Sequence, residues 1–131
     1  MSGKYRRIKM RVLDNLVPAK VFYYFEELCN IPHGSTNTKA ISDYCVNFAK
    51  ERGLAYHQDA ENNIIILKNG SKGYEDSKPV IIQGHLDMVC EKEADCTIDF
   101  EKDGLSLAID GDYIYAEGTT LGGDDGIAVA M

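Results

Sequence analysis

Two clusters in this 131-residue chain have the residue types and spacing that chemistry requires. The first is Gly84-His85-Leu86-Asp87, an imidazole and a carboxylate two positions apart. Residues i and i+2 of an extended strand share a face, with Cα atoms about 6.5–7 Å apart. His85 and Asp87 therefore reach into one small volume, a pairing that suits a metal site or a proton-transfer site. The plain alternative is a hydrogen-bonded core histidine with Asp87 as a turn acceptor.

The second cluster is Gly118-Thr119-Thr120-Leu121-Gly122-Gly123-Asp124-Asp125-Gly126, a glycine-rich loop that runs into the apolar residues Ile127-Ala128-Val129-Ala130. A phosphate cradle does not fit, because no lysine follows the glycines and adjacent carboxylates repel phosphate. Two readings remain. One is a carboxylate held close to a metal, with glycine letting the backbone crowd in. The other is an aspartate N-cap at an ordinary helix start.

The elements that must position these residues can be read around them. Pro79-Val80-Ile81-Ile82-Gln83 is a short apolar run rich in β-branched residues, which predicts a strand buried on both faces. His85 and Asp87 would then lie at its carboxyl end, where open α/β sheets place ligands. Upstream, Val21, Phe22, Phe25 and Leu28 predict an amphipathic helix with Pro18 in its first turn, ending before Ile31-Pro32. A second helix carries Ala40, Ile41, Tyr44, Cys45, Phe48 and Ala49 on one face and stops at Gly53. Strands are predicted over residues 54–58 and 63–68, and a hairpin over 105–109 and 113–116 around Asp110-Gly111-Asp112.

Composition narrows the function. Fourteen basic and 21 acidic residues give a net charge of −7, which argues against nucleic acid or an anionic membrane as partner. Lys4, Arg6, Arg7 and Lys9 are the exception; without them 10 basic residues face 21 acidic ones, a balance of −11. Residues 1–15 are therefore read as a flexible basic arm. No apolar run approaches the ~18–20 residues of a membrane span and no signal-peptide pattern opens the chain, so the expected location is the cytoplasm. Cys29, Cys45, Cys90 and Cys96 form no C-x-x-C and read as free thiols. His33, in a loop, and His57, in a strand, receive no ligand role. Asp99-x-Glu101-x-Asp103-Gly104 with Asp110 matches a calcium loop poorly, because strands rather than helices flank it.

Three stretches together resemble a known family: Ile31-Pro32-His33-Gly34-Ser35, Gly84-His85-Leu86-Asp87-Met88-Val89 and the loop from Gly118 to Gly126. They are similar to the amino-terminal part of the Xaa-His (aminoacyl-histidine or β-alanyl-histidine) dipeptidases, within the dizinc aminoacylase and carboxypeptidase group of exopeptidases. The resemblance runs from about Leu16 to Met131. It implies an α/β fold, the amino-terminal part of a three-layer α/β/α catalytic domain with a mixed sheet. Residues 16–131 would form an incomplete metallopeptidase domain, ending before the catalytic glutamate and the lid domain. It further implies His85 as a zinc ligand, Asp124 as the carboxylate bridging two zinc ions, and Asp87 as the residue orienting His85, with the peptide bond after Asp124 cis. Zinc is the implied metal, two per complete site, with cobalt or manganese as alternatives, and a dipeptide is the implied substrate. This chain alone is expected to be inactive. The competing expectation is a non-catalytic metal-binding or self-associating module, a homo-oligomer formed through the apolar end at Ile127 and Val129.

Overall fold

The computed structural model describes residues 11–131; the basic cluster from Lys4 to Lys9 lies outside them. The first helix, α1, spans Ala19–Cys29. Pro18 stands just before it with φ −74° and ψ 126°, so its ring fixes the entry while its missing N–H costs the helix nothing. Phe25, Leu28 and Cys29 bury the inward face. Glu26 is also buried, and its carboxylate accepts the N–H groups of Val12 (2.8 Å) and Leu13 (3.0 Å). Leu13 is itself buried and Arg11 pairs with Glu27 at 2.6 Å. Within the expected flexible arm, Arg11 and Leu13 are thus tied to α1 by a charged pair and an apolar anchor, while the Val12, Asp14 and Asn15 side chains stay exposed.

The second helix, α2, spans Lys39–Glu51. Its buried stripe is Ile41, Ser42, Val46 and Ala49, turned from the expected one so that Ala40 faces solvent. Ser42 is tolerated inside because its hydroxyl accepts the Gln58 side-chain amide at 2.8 Å. The helix ends where Gly53 and Leu54 donate back to Lys50 and Ala49 carbonyls, leaving Gly53 at φ +63°.

Four short strands follow as two antiparallel hairpins. β1 (Ala55–Gln58) pairs with β2 (Ile64–Leu67) in the register Ala55 to Leu67, and His57 is exposed on it. β3 (Leu107–Asp110) pairs with β4 (Tyr113–Ala116), closing at Asp110 opposite Tyr113. The last helix, α3 (Gly123–Ala130), packs against α1, with Ala130 in the core and Val129 against it. The apolar end is therefore covered in part: Ala130 is buried and Val129 half-buried, while Ile127, Ala128 and Met131 face water.

The helices and hairpins define an α/β chain, but the expected central strand is a correction. Residues 79–84 carry no strand assignment, and Val80, Ile81 and Ile82 are 84, 90 and 94% exposed. A strand exists by pairing its N–H and C=O groups with a neighbour, and no described strand pairs with this run. The mixed sheet is accordingly present only as its hairpins and two isolated bridges, Gly34 with Met88 (parallel) and Lys92 with Thr119 (antiparallel).

Candidate metal centre

Two segments about 40 residues apart converge here. One is the extended run 84–88, which the core holds at its far end: Met88 is buried, and its N–H donates to His33 O at 3.0 Å. The other is the loop into α3. Gly122 takes φ +71° and lies so close to Met88 that an added Cβ would stand 3.1 Å from its Cβ and Sδ. Asp124 (φ −88°, ψ 104°) and Asp125 (φ −117°, ψ 20°) break the helical geometry, and the bond between them is cis. The regular helix begins at Gly126, whose N–H reaches back to Gly122 O at 3.1 Å.

The result brings His85, Asp87 and Asp124 together. His85 Nδ1 lies 3.0 Å from Asp87 O and 3.2 Å from Asp87 Oδ1, while Nε2 lies 3.0 Å from Asp124 Oδ1. The His85 pKa is raised above its ordinary value, chiefly by the Asp124 carboxylate hydrogen-bonded to Nε2 and further by Asp87. The Asp87 carboxyl is held below the usual carboxylate range, first by the Ser35 hydroxyl and also by His85. That hydroxyl additionally reaches Met88 O at 3.5 Å.

The donor set fits a divalent transition metal. With Nδ1–H given to Asp87, Nε2 of neutral His85 presents a lone pair beside a carboxylate oxygen. Two such donors, each ~2.0–2.2 Å from one tetrahedral ion, would stand about 3.4 Å apart, close to the 3.0 Å seen without metal. Both are accessible, His85 half-exposed and Asp124 almost fully. Two donors do not complete a site: among the described residues no group of three His, Cys, Asp or Glu side chains is arranged to hold an ion. The cysteines are free; burial pushes the Cys29 thiol up to about 12 and Cys45 to about 11, which keeps both protonated.

Three contributors escaped the sequence reading. Ser35 acts on Asp87, and the His33 carbonyl anchors Met88, although only the motif containing both was singled out. His33 is buried, with Nδ1 2.6 Å from Ile31 O. Asp125 is the third: its Oδ2 accepts the backbone N–H of His85 at 3.3 Å.

The scaffold itself is similar to that of dipeptidases. The chain is 42% identical over 121 residues to the cytosol non-specific dipeptidase of Escherichia coli K12, a match covering 92% of this chain. In structure it is similar to aminoacylhistidine dipeptidase from Vibrio alginolyticus, with a TM-score of 0.86 and 39% identity over 90% of this chain. The likeness to the Xaa-His dipeptidases thus extends beyond the three motifs to nearly the whole chain. The chain spans about a quarter of the length of each of these relatives, 25 and 24%. It matches no protein-family model.

Proposed function

We propose that this chain supplies part of the active centre of a zinc-dependent dipeptidase that cleaves dipeptides of the Xaa-His type. The observation that carries the reading is the 3.0 Å approach of His85 Nε2 to Asp124 Oδ1, made by two segments distant in sequence. Likeness to two dipeptidases supports the reaction class. His85 and Asp124 would hold zinc, with Asp124 free to share a second ion. When bound, paired metals polarise a carbonyl and lower the pKa of a water. This chain's own residues do the rest of the work assigned here. Asp87 accepts a hydrogen bond from the Nδ1–H of His85, which fixes the tautomer and leaves Nε2 to bind. Ser35 holds the Asp87 carboxylate in its charged form.

No glutamate follows Asp124 within the 131 residues, and a general base is needed to take the water's proton and deliver it to the leaving amine. In the family this chain resembles, that base lies after the residue matching Asp124, and on that resemblance the 131 residues alone are proposed to be inactive. A cytosolic location is part of the same proposal, supported by the name of the E. coli relative; no described helix is long and apolar enough to cross a membrane.

A chimera tests this: the aligned quarter of the E. coli dipeptidase is replaced by the matching residues of this chain, and hydrolysis of β-alanyl-histidine and of a non-histidine dipeptide is measured. The chimera is expected to be active, His85→Ala and Asp124→Ala to abolish activity, and Asp87→Ala to lower it about 10–100-fold. A folded chimera whose activity survives His85→Ala would overturn the assignment.

A further inference from the structure

Asp124 and Asp125 are adjacent, yet their carboxylates serve different atoms. Asp124 faces the His85 ring, while Asp125 Oδ2 accepts the His85 backbone N–H at 3.3 Å. Among the described residues no other hydrogen bond holds the main chain of residues 79–85. On the far side of the histidine the chain is fixed by Met88 N–H to His33 O at 3.0 Å. His85 is thus suspended between two ties, and Asp125 makes the one nearer the exposed run.

The neighbouring residue is shaped to admit this tie. A Cβ on Gly84 would stand 2.8 Å from Asp125 Oδ2 and 3.0 Å from Val129 Cγ2. The first distance is below what real Cβ atoms show, so any side chain at residue 84 would push the Asp125 carboxylate from this place. An unpaired strand has no ladder to set its register, and a metal ligand displaced by about 1 Å no longer converges with its partner.

We propose that Asp125 is a positioning residue of the half-site: with Gly84 giving it room, its carboxylate latches the His85 amide and sets the imidazole at gripping distance from Asp124. The inference rests on the metal-site reading above but can be tested apart from it. The latch acts through an acceptor oxygen rather than through charge, so asparagine replaces Asp125 and alanine does not. Gly84→Ala removes the same latch by crowding, so its effect and that of Asp125→Ala are not additive.

The experiment is NMR on the metal-free 131-residue chain, reading the nuclear Overhauser contact between His85 ring protons and Asp124, followed by zinc titration of the same samples. The contact is expected in the wild type and in Asp125→Asn. It is expected to disappear in Asp125→Ala and Gly84→Ala while the Met88 amide signal keeps its position, with the double variant no worse than Gly84→Ala. Zinc affinity should fall about 10–100-fold in the variants lacking the contact and remain near wild type in Asp125→Asn. An unchanged contact in Asp125→Ala, or an Asp125→Asn as damaged as the alanine variant, overturns the latch. A wild type that keeps the contact and binds no zinc overturns the metal reading and leaves the latch standing.

Discussion

His33 illustrates what a single residue does behind the site. The residue is 5% exposed, and burial holds its pKa below the ordinary value despite the Ile31 carbonyl at Nδ1 and the nearby Asp87 charge. The unfolded chain takes up a proton near pH 6.5 that folded His33 resists. Its contribution to stability is therefore complete above about pH 6.5 and is lost as pH falls toward the lowered value. His85, with its raised pKa, works in the opposite direction. His33→Asn keeps an N–H near the Nδ1 position but cannot titrate, so urea denaturation at pH 7 and pH 5 should show a smaller acid loss in the variant. An equal loss would contradict it. At this scale His85 and Asp87 were legible as a pair because a period of two is a local pattern, whereas Asp124 was distinguished from its neighbour only by the resemblance to the Xaa-His dipeptidases. Asp125, Ser35 and His33 were not, since their roles arise from contacts with residues 40 to 55 positions away.

The helices and both hairpins could be read from apolar spacing, turn residues and proline or glycine punctuation, with boundaries moving by one or two residues. The run 79–84 could not be read correctly, because its pattern specifies burial between neighbours that the described residues do not supply. The loop before α3 was legible as special but not in its geometry. Gly122 at φ +71° touches Met88, whereas a Cβ on Gly123 meets only Leu121 Cδ2 at 3.9 Å. Gly122→Ala should cost roughly 1–2 kcal/mol for the left-handed conformation alone, and more for the contact. It should also weaken zinc binding, since Asp124 moves with the loop. Gly123→Ala should do neither to a comparable degree. Equal effects of the two substitutions on urea midpoint would contradict this placement of the loop.

For the molecule as a whole, the core unites α1, α2, α3 and Leu13 with Met88, Leu105 and Ala116. Outside it stands one conspicuous apolar stretch, Val80-Ile81-Ile82, bare on both faces. An exposed, β-branched, unpaired run is an association hazard. It joins the apolar surface expected at the chain's end, where Ile127, Ala128 and Met131 are exposed although Val129 and Ala130 pack against the core. Sedimentation should show concentration-dependent self-association that Ile81→Lys with Ile82→Lys reduces without lowering the melting temperature, because both side chains are almost fully exposed. Association that persists in the double variant would locate the sticky surface elsewhere.

The central claim is that His85 and Asp124 form a preformed metal half-site, and zinc titration of the purified chain by calorimetry at neutral pH tests it most directly. Weak binding is expected, as two protein donors allow, and its loss in both His85→Ala and Asp124→Ala. Absence of binding in the wild type, or binding that survives both substitutions, would contradict it.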